Sequence, residues 1–252
     1  MQIDLTGLNI IVAGGSRGIG RAIAIACAGA GAGISICARG AAALEATRAD
    51  IAALGGRTHA GSCDLSDAAA IKAYIADAAK ALGGIDVLVN NATGMGAGDS
   101  EADWEASLNV DLLAVVRASK AALPHLQKRQ GSSIINISSG SGLNASPRTP
   151  AYGAAKAAVI HYTRTQAAQL APHHIRVNCV APGSIEFPGG VWDLRKHDNP
   201  PLYNATLAAC PMGRMGTVEE VANVVAFLAS PLASWVTAQI IGVNGAQGMK
   251  GA

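Results

Sequence analysis

The sequence predicts an α/β chain: a doubly wound sheet of seven parallel strands with helices on both faces, forming a single domain over residues 1–252. Three observations predict it. Short apolar runs alternate along the chain with helical segments. The first run opens onto a cluster of glycines and then a helix. Half of the residues are hydrophobic and only 14% are charged, as expected where most elements are covered on two sides.

The first strand is Leu8 to Ala13, an almost continuous apolar run, and Gly14, Gly15, Gly18 and Gly20 crowd the turn after it. Their spacing is G-x-x-x-G-x-G, which matches neither GxGxxG nor GxxxxGK[ST]. Such a turn either lets a backbone approach a phosphate at a helix N-terminus or serves packing alone. Further strands are predicted at Gly33 to Ala38, Thr58 to Cys63, Ile85 to Val89, Ser133 to Ile137, Ile175 to Val180 and Gln239 to Val243. Between them, Ser66 is expected to cap a helix carrying Ile71, Tyr74, Ile75, Ala78 and Leu82 on one face. Asp103 to Arg129 reads as one long helix holding Asn109 and interrupted near Pro124. Thr149 is placed to cap the next helix, with Pro150 in its first turn. Thr217 and Glu220 form a capping box ahead of Val221, Val224, Val225 and Leu228.

The second strand ends at Arg39, where a dinucleotide-binding sheet places the group that reads the adenosine ribose. An acid at that point favours NAD; Arg39, with Arg17 in the glycine turn, instead suits the 2′-phosphate of NADP. NADP(H) is therefore the preferred cofactor, with NAD(H) possible. Asp64, after the third strand, is positioned to accept from an adenine amino group or to begin a helix. The amides and small residue Asn90, Asn91 and Ala92 suit either a floor beneath a nucleotide or a turn.

Tyr152 and Lys156 stand one helical turn apart, on one face of the helix that begins at Pro150. A free phenol titrates near ~10. An ammonium about 4 Å away favours its ionised form by on the order of 4 kcal/mol when the effective dielectric is about 20. A phenol so placed becomes a usable proton carrier near neutral pH. Ser139, at the end of the fifth strand, would hold a substrate oxygen opposite it.

The net charge is +2, without a basic block or interleaved aromatic stripe, so nucleic acid is a poor partner. No apolar run reaches the ~18 residues needed to span a bilayer, and a cytoplasmic chain is expected. Cys27, Cys37, Cys63, Cys179 and Cys210 are scattered without metal-ligand spacing and read as small buried hydrophobes; no metal site is expected.

Taken together, AGGSRGIG at 13–20, CDL at 63–65, NNA at 90–92, Asn109, INISS at 135–139, YGAAK at 152–156, RVNCVAPG at 176–183 and the closing RMGTVEEVANVVAFLAS resemble the short-chain dehydrogenase/reductase family over essentially the whole chain. The resemblance implies a Rossmann-type fold and a catalytic set of Asn109, Ser139, Tyr152 and Lys156. It implies cofactor contacts from Gly14, Ser16, Arg17, Gly18, Ile19, Gly20, Arg39, Asp64, Leu65, Asn91, Ala92, Tyr152, Lys156, Pro182, Gly183 and Ile185. It also implies a homotetramer, or a homodimer, that pairs the helices containing Asn109 and Tyr152. Ala13, Thr93, Phe187 and Asn244-Gly245-Ala246 depart from the family pattern near the cofactor.

Residues 187–210 read as a loop beside the nicotinamide end, with Gly189 and Gly190 as hinges of a lid over substrate. The expected activity is NADP(H)-dependent hydride transfer to a ketone or from a secondary alcohol, a small neutral or weakly polar molecule. Alternatives are a catalytically idle NADP-binding module and, within the class, an NAD(H)-dependent alcohol dehydrogenase or a 3-oxoacyl thioester reductase.

Overall fold

A computed structural model describes residues 2–248. Its seven strands form one parallel sheet: β1 (Asn9–Ala13), β2 (Gly33–Ala38), β3 (Thr58–Ser62), β4 (Val87–Asn90), β5 (Ser133–Ile137), β6 (Arg176–Pro182) and β7 (Ile240–Val243), in the spatial order β3-β2-β1-β4-β5-β6-β7. The order reverses between β1 and β4, and this switch point opens a crevice at the strands' carboxyl ends. The strand boundaries depart from the predicted ones by no more than two residues. β4 starts later because Asp86 is spent on the strand's edge: its carboxylate accepts from Asn9 N at 2.9 Å.

On one face lie α1 (Gly18–Gly29), α2 (Ala41–Ala52) and α10 (Val218–Ala229), which pack Ile23, Ala24, Leu44, Ile51, Val221 and Val225 against Ile10, Val12, Ile34 and Ile36. On the other lie α3 (Ala68–Leu82), α5 (Ala114–Leu126) and α7 (Pro150–Leu170), which pack on Ile11, Leu88, Ile134 and Val177. Successive strand residues point to opposite faces, and each face meets its own helical layer, so the central strands read as unbroken apolar runs. All five cysteines are free and buried.

Three local expectations are corrected. The helix after β3 is capped by Asp67, whose carboxylate accepts from Ala69 N at 2.8 Å, while Ser66 bonds back to Asp64. Thr149 makes no capping bond; its hydroxyl pairs with Ser146 at 2.7 Å, although Pro150 does occupy the first turn. The predicted helix over 103–129 is divided: α4 (Glu101–Ala106) runs into a π-helical turn at Ser107–Leu113 before α5. Pro124 does not interrupt α5, which continues to Leu126. The break lies a dozen residues earlier, and π turns inside helices commonly re-aim a side chain at a site. The capping box of α10 forms as predicted.

The stretch read as a loop at 187–210 contains two helices, α8 (Val191–Asp198) and α9 (Pro200–Ala208). Both are tied to Glu186, which is ion-paired with Lys196 of α8 and accepts from the Tyr203 hydroxyl of α9 at 3.0 Å.

Candidate active site

The glycine turn closes against the ends of β2 and β4. Gly14 N and Gly15 N donate to Cys37 O at 3.0 and 3.1 Å, and Asn91 Nδ2 donates to Gly14 O at 2.9 Å. Gly18 has φ +53, and a Cβ on Gly20 would run into Gly14 O and the Asn91 amide, so this crossing requires glycine. Arg17 is the N-cap of α1 and supplies no side-chain cap, and the first turn carries no acid. The N–H groups of Gly18, Ile19 and Gly20 are thus available to an anion, and the turn fits the diphosphate of a dinucleotide. Ser16, within the same turn, is fixed through its carbonyl, which accepts from Thr47 Oγ1 at 3.0 Å.

Arg17, in the glycine turn, and Arg39, at the end of β2, are both exposed. Asp64 accepts from Ser66 N and Oγ at 2.9 and 2.8 Å, which holds its carboxyl below the usual range; Arg39 acts in the same direction. Leu65 is buried and lines a narrow apolar slot with Ala13, Ala92, Val110 and Ala114. At the opposite end Gly183 N donates to Val243 O at 3.0 Å, and Ser184 N donates to Gln247 Oε1 at 2.8 Å, so the segment after Pro182 is braced by the C-terminal turn. Ile185 is buried, and the Phe187 ring lies against Gly18.

Between these ends β5 delivers Ser139, the N-cap of α6 (Gly140–Leu143), whose hydroxyl oxygen accepts from Ser141 N at 3.1 Å. That bond uses an oxygen lone pair and leaves the Ser139 proton free to donate. Tyr152 is half-buried, and the Lys156 ammonium stands 5.6 Å from the centre of its ring. Ser138 Oγ donates to Lys156 O at 2.8 Å, fixing α7 to the end of β5. Lys156 is buried, donates to Ile137 O at 3.0 Å and lies 3.0 Å from Asp111 Oδ1. Burial acts to lower the ammonium, but Asp111 and then Tyr152 outweigh it, and the net direction is above the usual lysine range.

Ser139, Tyr152 and Lys156 therefore occupy neighbouring elements at one edge of the sheet. Asn109 is not joined to them: it lies half-buried in the π turn, and its side chain makes no hydrogen bond among the described residues. Asp111, two residues on, reaches Lys156 instead. A signal for it exists in the sequence, since it is the one charge in the run Leu108 to Val116. An unbroken helix gives no reason to aim it inward.

A family model described as enoyl-(acyl carrier protein) reductase matches residues 13–248. Nodulation protein G of Rhizobium sp. (strain N33) is 38% identical, over 98% of this chain and 100% of that protein. The 3-oxoacyl-(acyl-carrier-protein) reductase FabG of Thermotoga maritima is 35% identical, over 96% and 98%. A solved 7α-hydroxysteroid dehydrogenase, complexed with NADH and 7-oxo glycochenodeoxycholic acid, superposes with a TM-score of 0.91 at 33% identity, covering 98% of this chain and 96% of that one. With a fold, a glycine turn and relatives that agree over its whole described length, the chain belongs to the short-chain dehydrogenase/reductase family, NAD(P)-dependent oxidoreductases that act on CH–OH and C=O groups.

Proposed function

We propose that the chain reduces a small ketone, or oxidises the corresponding secondary alcohol, with NADP(H) preferred over NAD(H) and with Tyr152 as general acid or base. The observation that carries this reading is the Lys156 ammonium 5.6 Å from the Tyr152 ring, beside a Ser139 hydroxyl whose proton is unspent. Ser139 would donate to the carbonyl oxygen of the substrate. Tyr152 would deliver its proton to the same oxygen in reduction and take it back in oxidation. The buried Lys156 ammonium compensates the phenolate that remains, and its third N–H is free to hold a ribose hydroxyl. Bound nicotinamide supplies or accepts the hydride. Gly18, Ile19 and Gly20 would hold the diphosphate through backbone N–H groups, and Arg17 and Arg39 the 2′-phosphate. Asp64 and Leu65 would border the adenine, while Asn91, Ala92, Pro182, Gly183 and Ile185 would line the path to the nicotinamide.

The helices at 191–208 form the side of the substrate pocket and act as its lid, with Glu186 as their common tether. Phe187, Val191 and Leu194 give that side an apolar character, which suits an uncharged substrate. A 3-oxoacyl thioester is the second reading, favoured by the relative named as a 3-oxoacyl-(acyl-carrier-protein) reductase. Pairing of the α4–α5 and α7 helices of neighbouring copies into a homotetramer completes the proposal.

The test is a panel of ketones, secondary alcohols and 3-oxoacyl thioesters, followed through NADPH and NADH absorbance. Turnover of one class with NADPH, reduced about 100-fold or more in Tyr152→Phe, is the expected result. Cofactor binding without turnover on any member, unaffected by that substitution, would identify an idle binding module instead.

A further inference from the structure

Asp111 is fully buried, and so is the cation it faces: Asp111 has 0% and Lys156 2% of its side chain exposed. Removing two charges from water costs several kcal/mol each unless their mutual attraction and their hydrogen bonds offset it. A charge pair retained in such a place has either a structural or a functional reason. The local arrangement separates the two.

Asp111 Oδ2 accepts from Gly94 N at 3.0 Å, which ties the carboxylate to the chain that leaves β4. Its Oδ1 lies 3.0 Å from Lys156 Nζ but receives no well-directed hydrogen bond, so that contact is held by charge. A purely structural anchor needs only the Gly94 bond, and an amide oxygen accepts that equally well. The charge is addressed to Lys156 alone. Asp111 lies inside the π turn, Ser107–Leu113, whose i→i+5 winding shifts the direction of its side chains from that of an unbroken α-helix.

We infer that Asp111 is a positioning residue for the proposed reaction: its buried carboxylate fixes the Lys156 ammonium between the end of β5 and the Tyr152 phenol, and offsets part of that ammonium's charge. Of the ammonium's three N–H groups, one is taken by Ile137 O, while Asp111 holds the group by charge. The remaining donor capacity is left for the phenol or a ribose hydroxyl. The carboxylate also sets how strongly the cation acts on Tyr152, because a negative charge beside the ammonium weakens its pull on the phenolate.

The titratable groups that act on the ammonium are Asp111 from the π turn, Tyr152 from its own helix and Cys179 from β6. Cys179 is pushed up to about 11 by burial and stays neutral below that. Ser138 and Ser139, which follow β5, and the stretch Gly140–Leu143 carry no charge. The acids of α4 stay at the surface, Asp103 in a capping box with Ser100 and Glu101 and Glu105 exposed.

The experiment is an ultraviolet titration of the phenols in the cofactor-free protein, wild type against Asp111→Asn, with Tyr152→Phe subtracted to isolate one tyrosine. The other phenols do not obscure it, since Tyr74, Tyr162 and Tyr203 are all held above their ordinary value. Asparagine keeps an acceptor for Gly94 N and removes the charge, placing an uncharged NH2 group where Oδ1 faces the ammonium. The Tyr152 midpoint should fall by at least about one pH unit, a tenfold rise in ionised phenol at any pH below both midpoints. The alkaline limb of the carbonyl-reduction profile should move the same way, because the acid form is lost earlier. A midpoint that is unchanged or raised would overturn the inference.

If Asp111→Asn does not fold, Asp111→Ser, which also removes the charge while Lys156 remains, takes its place and should lower the Tyr152 midpoint likewise; an unchanged or raised midpoint there would again overturn the inference. The inference rests on Tyr152 as the proton carrier. A midpoint that moves in a protein without turnover would sink that reading and leave the coupling standing. Turnover with an unmoved midpoint would do the reverse.

Discussion

Arg39 stands at the end of β2 and Arg17 one residue before α1, both exposed, and neither is ion-paired among the described residues. Other exposed arginines of this face are engaged, Arg21 with Asp50 and Arg48 with Glu45. Two guanidinium groups left open at the ribose end of a glycine turn suit a phosphate better than a bare hydroxyl. Arg39→Asp is therefore expected to raise KM for NADPH about tenfold or more while leaving KM for NADH unchanged or lowered, the size of a charge-assisted hydrogen bond. Steady-state kinetics with both cofactors check it, and equal effects on the two would remove the preference for NADP(H). Single residues were legible in the sequence where the chemistry is carried by one type at one spacing. Tyr152 and Lys156 are separated by one turn in any helix, and Ser139 comes two residues after a strand that the apolar run predicts, so their placement follows from pattern. Asp111 was not legible, because its direction depends on a π turn, and the i, i+3 and i, i+4 rules that place helical side chains do not hold across one.

Among the elements, α10 shows how much a helix end depends on its cap. Thr217 Oγ1 accepts from Glu220 N at 3.4 Å, Glu220 Oε2 accepts from Thr217 N at 2.8 Å, and both Glu220 oxygens receive the Arg214 guanidinium, at 2.9 and 2.5 Å. First the Arg214 bonds and then the Thr217 N–H hold the Glu220 carboxyl down from 4.5 to about 2. A carboxyl with a depressed value stabilises the fold fully above its unfolded value and loses that contribution as pH falls toward the folded one. Glu220→Ala is expected to lower Tm by roughly 2–4 °C at pH 7, as for other lost caps. The gap between variant and wild type should close as the buffer is taken from about 4.5 toward 2, the window that these two values define. A gap that persists through that window would mean that Glu220 acts by packing. This cap was readable because it is written in four consecutive residues. The cap at Asp67 was not, since Ser66 and Asp67 are both good caps and the choice falls to Asp64, which captures the Ser66 hydroxyl. Nor were α8, a short polar stretch, and α9, which opens on two prolines and shows little apolar periodicity; their anchor, Glu186, lies outside both.

For the whole molecule, the same helices carry the site inward and an apolar surface outward. Leu108 and Leu113 of the π turn are 40% and 38% exposed, on either side of the fully buried Asp111. Along α7, Ala154 and Ala157 are exposed beside the half-buried Tyr152 and the buried Lys156, so this face is small and flat enough for another helix to approach closely. Covering such a face is the economical way to bury leucines that the single chain leaves in water. It would also cover the outer side of the π turn whose inner side carries Asp111. Light scattering is expected to give four times the chain mass, or twice it for the dimer. Leu113→Glu should lower that mass, since a charge within a closed apolar interface costs more than the contact contributes. Turnover should fall with dissociation and return when the concentration is raised, if covering the π turn helps hold Asp111 against Lys156. A Leu113→Glu protein that stays assembled, or one that dissociates and keeps full activity, would show that the site stands without its neighbour.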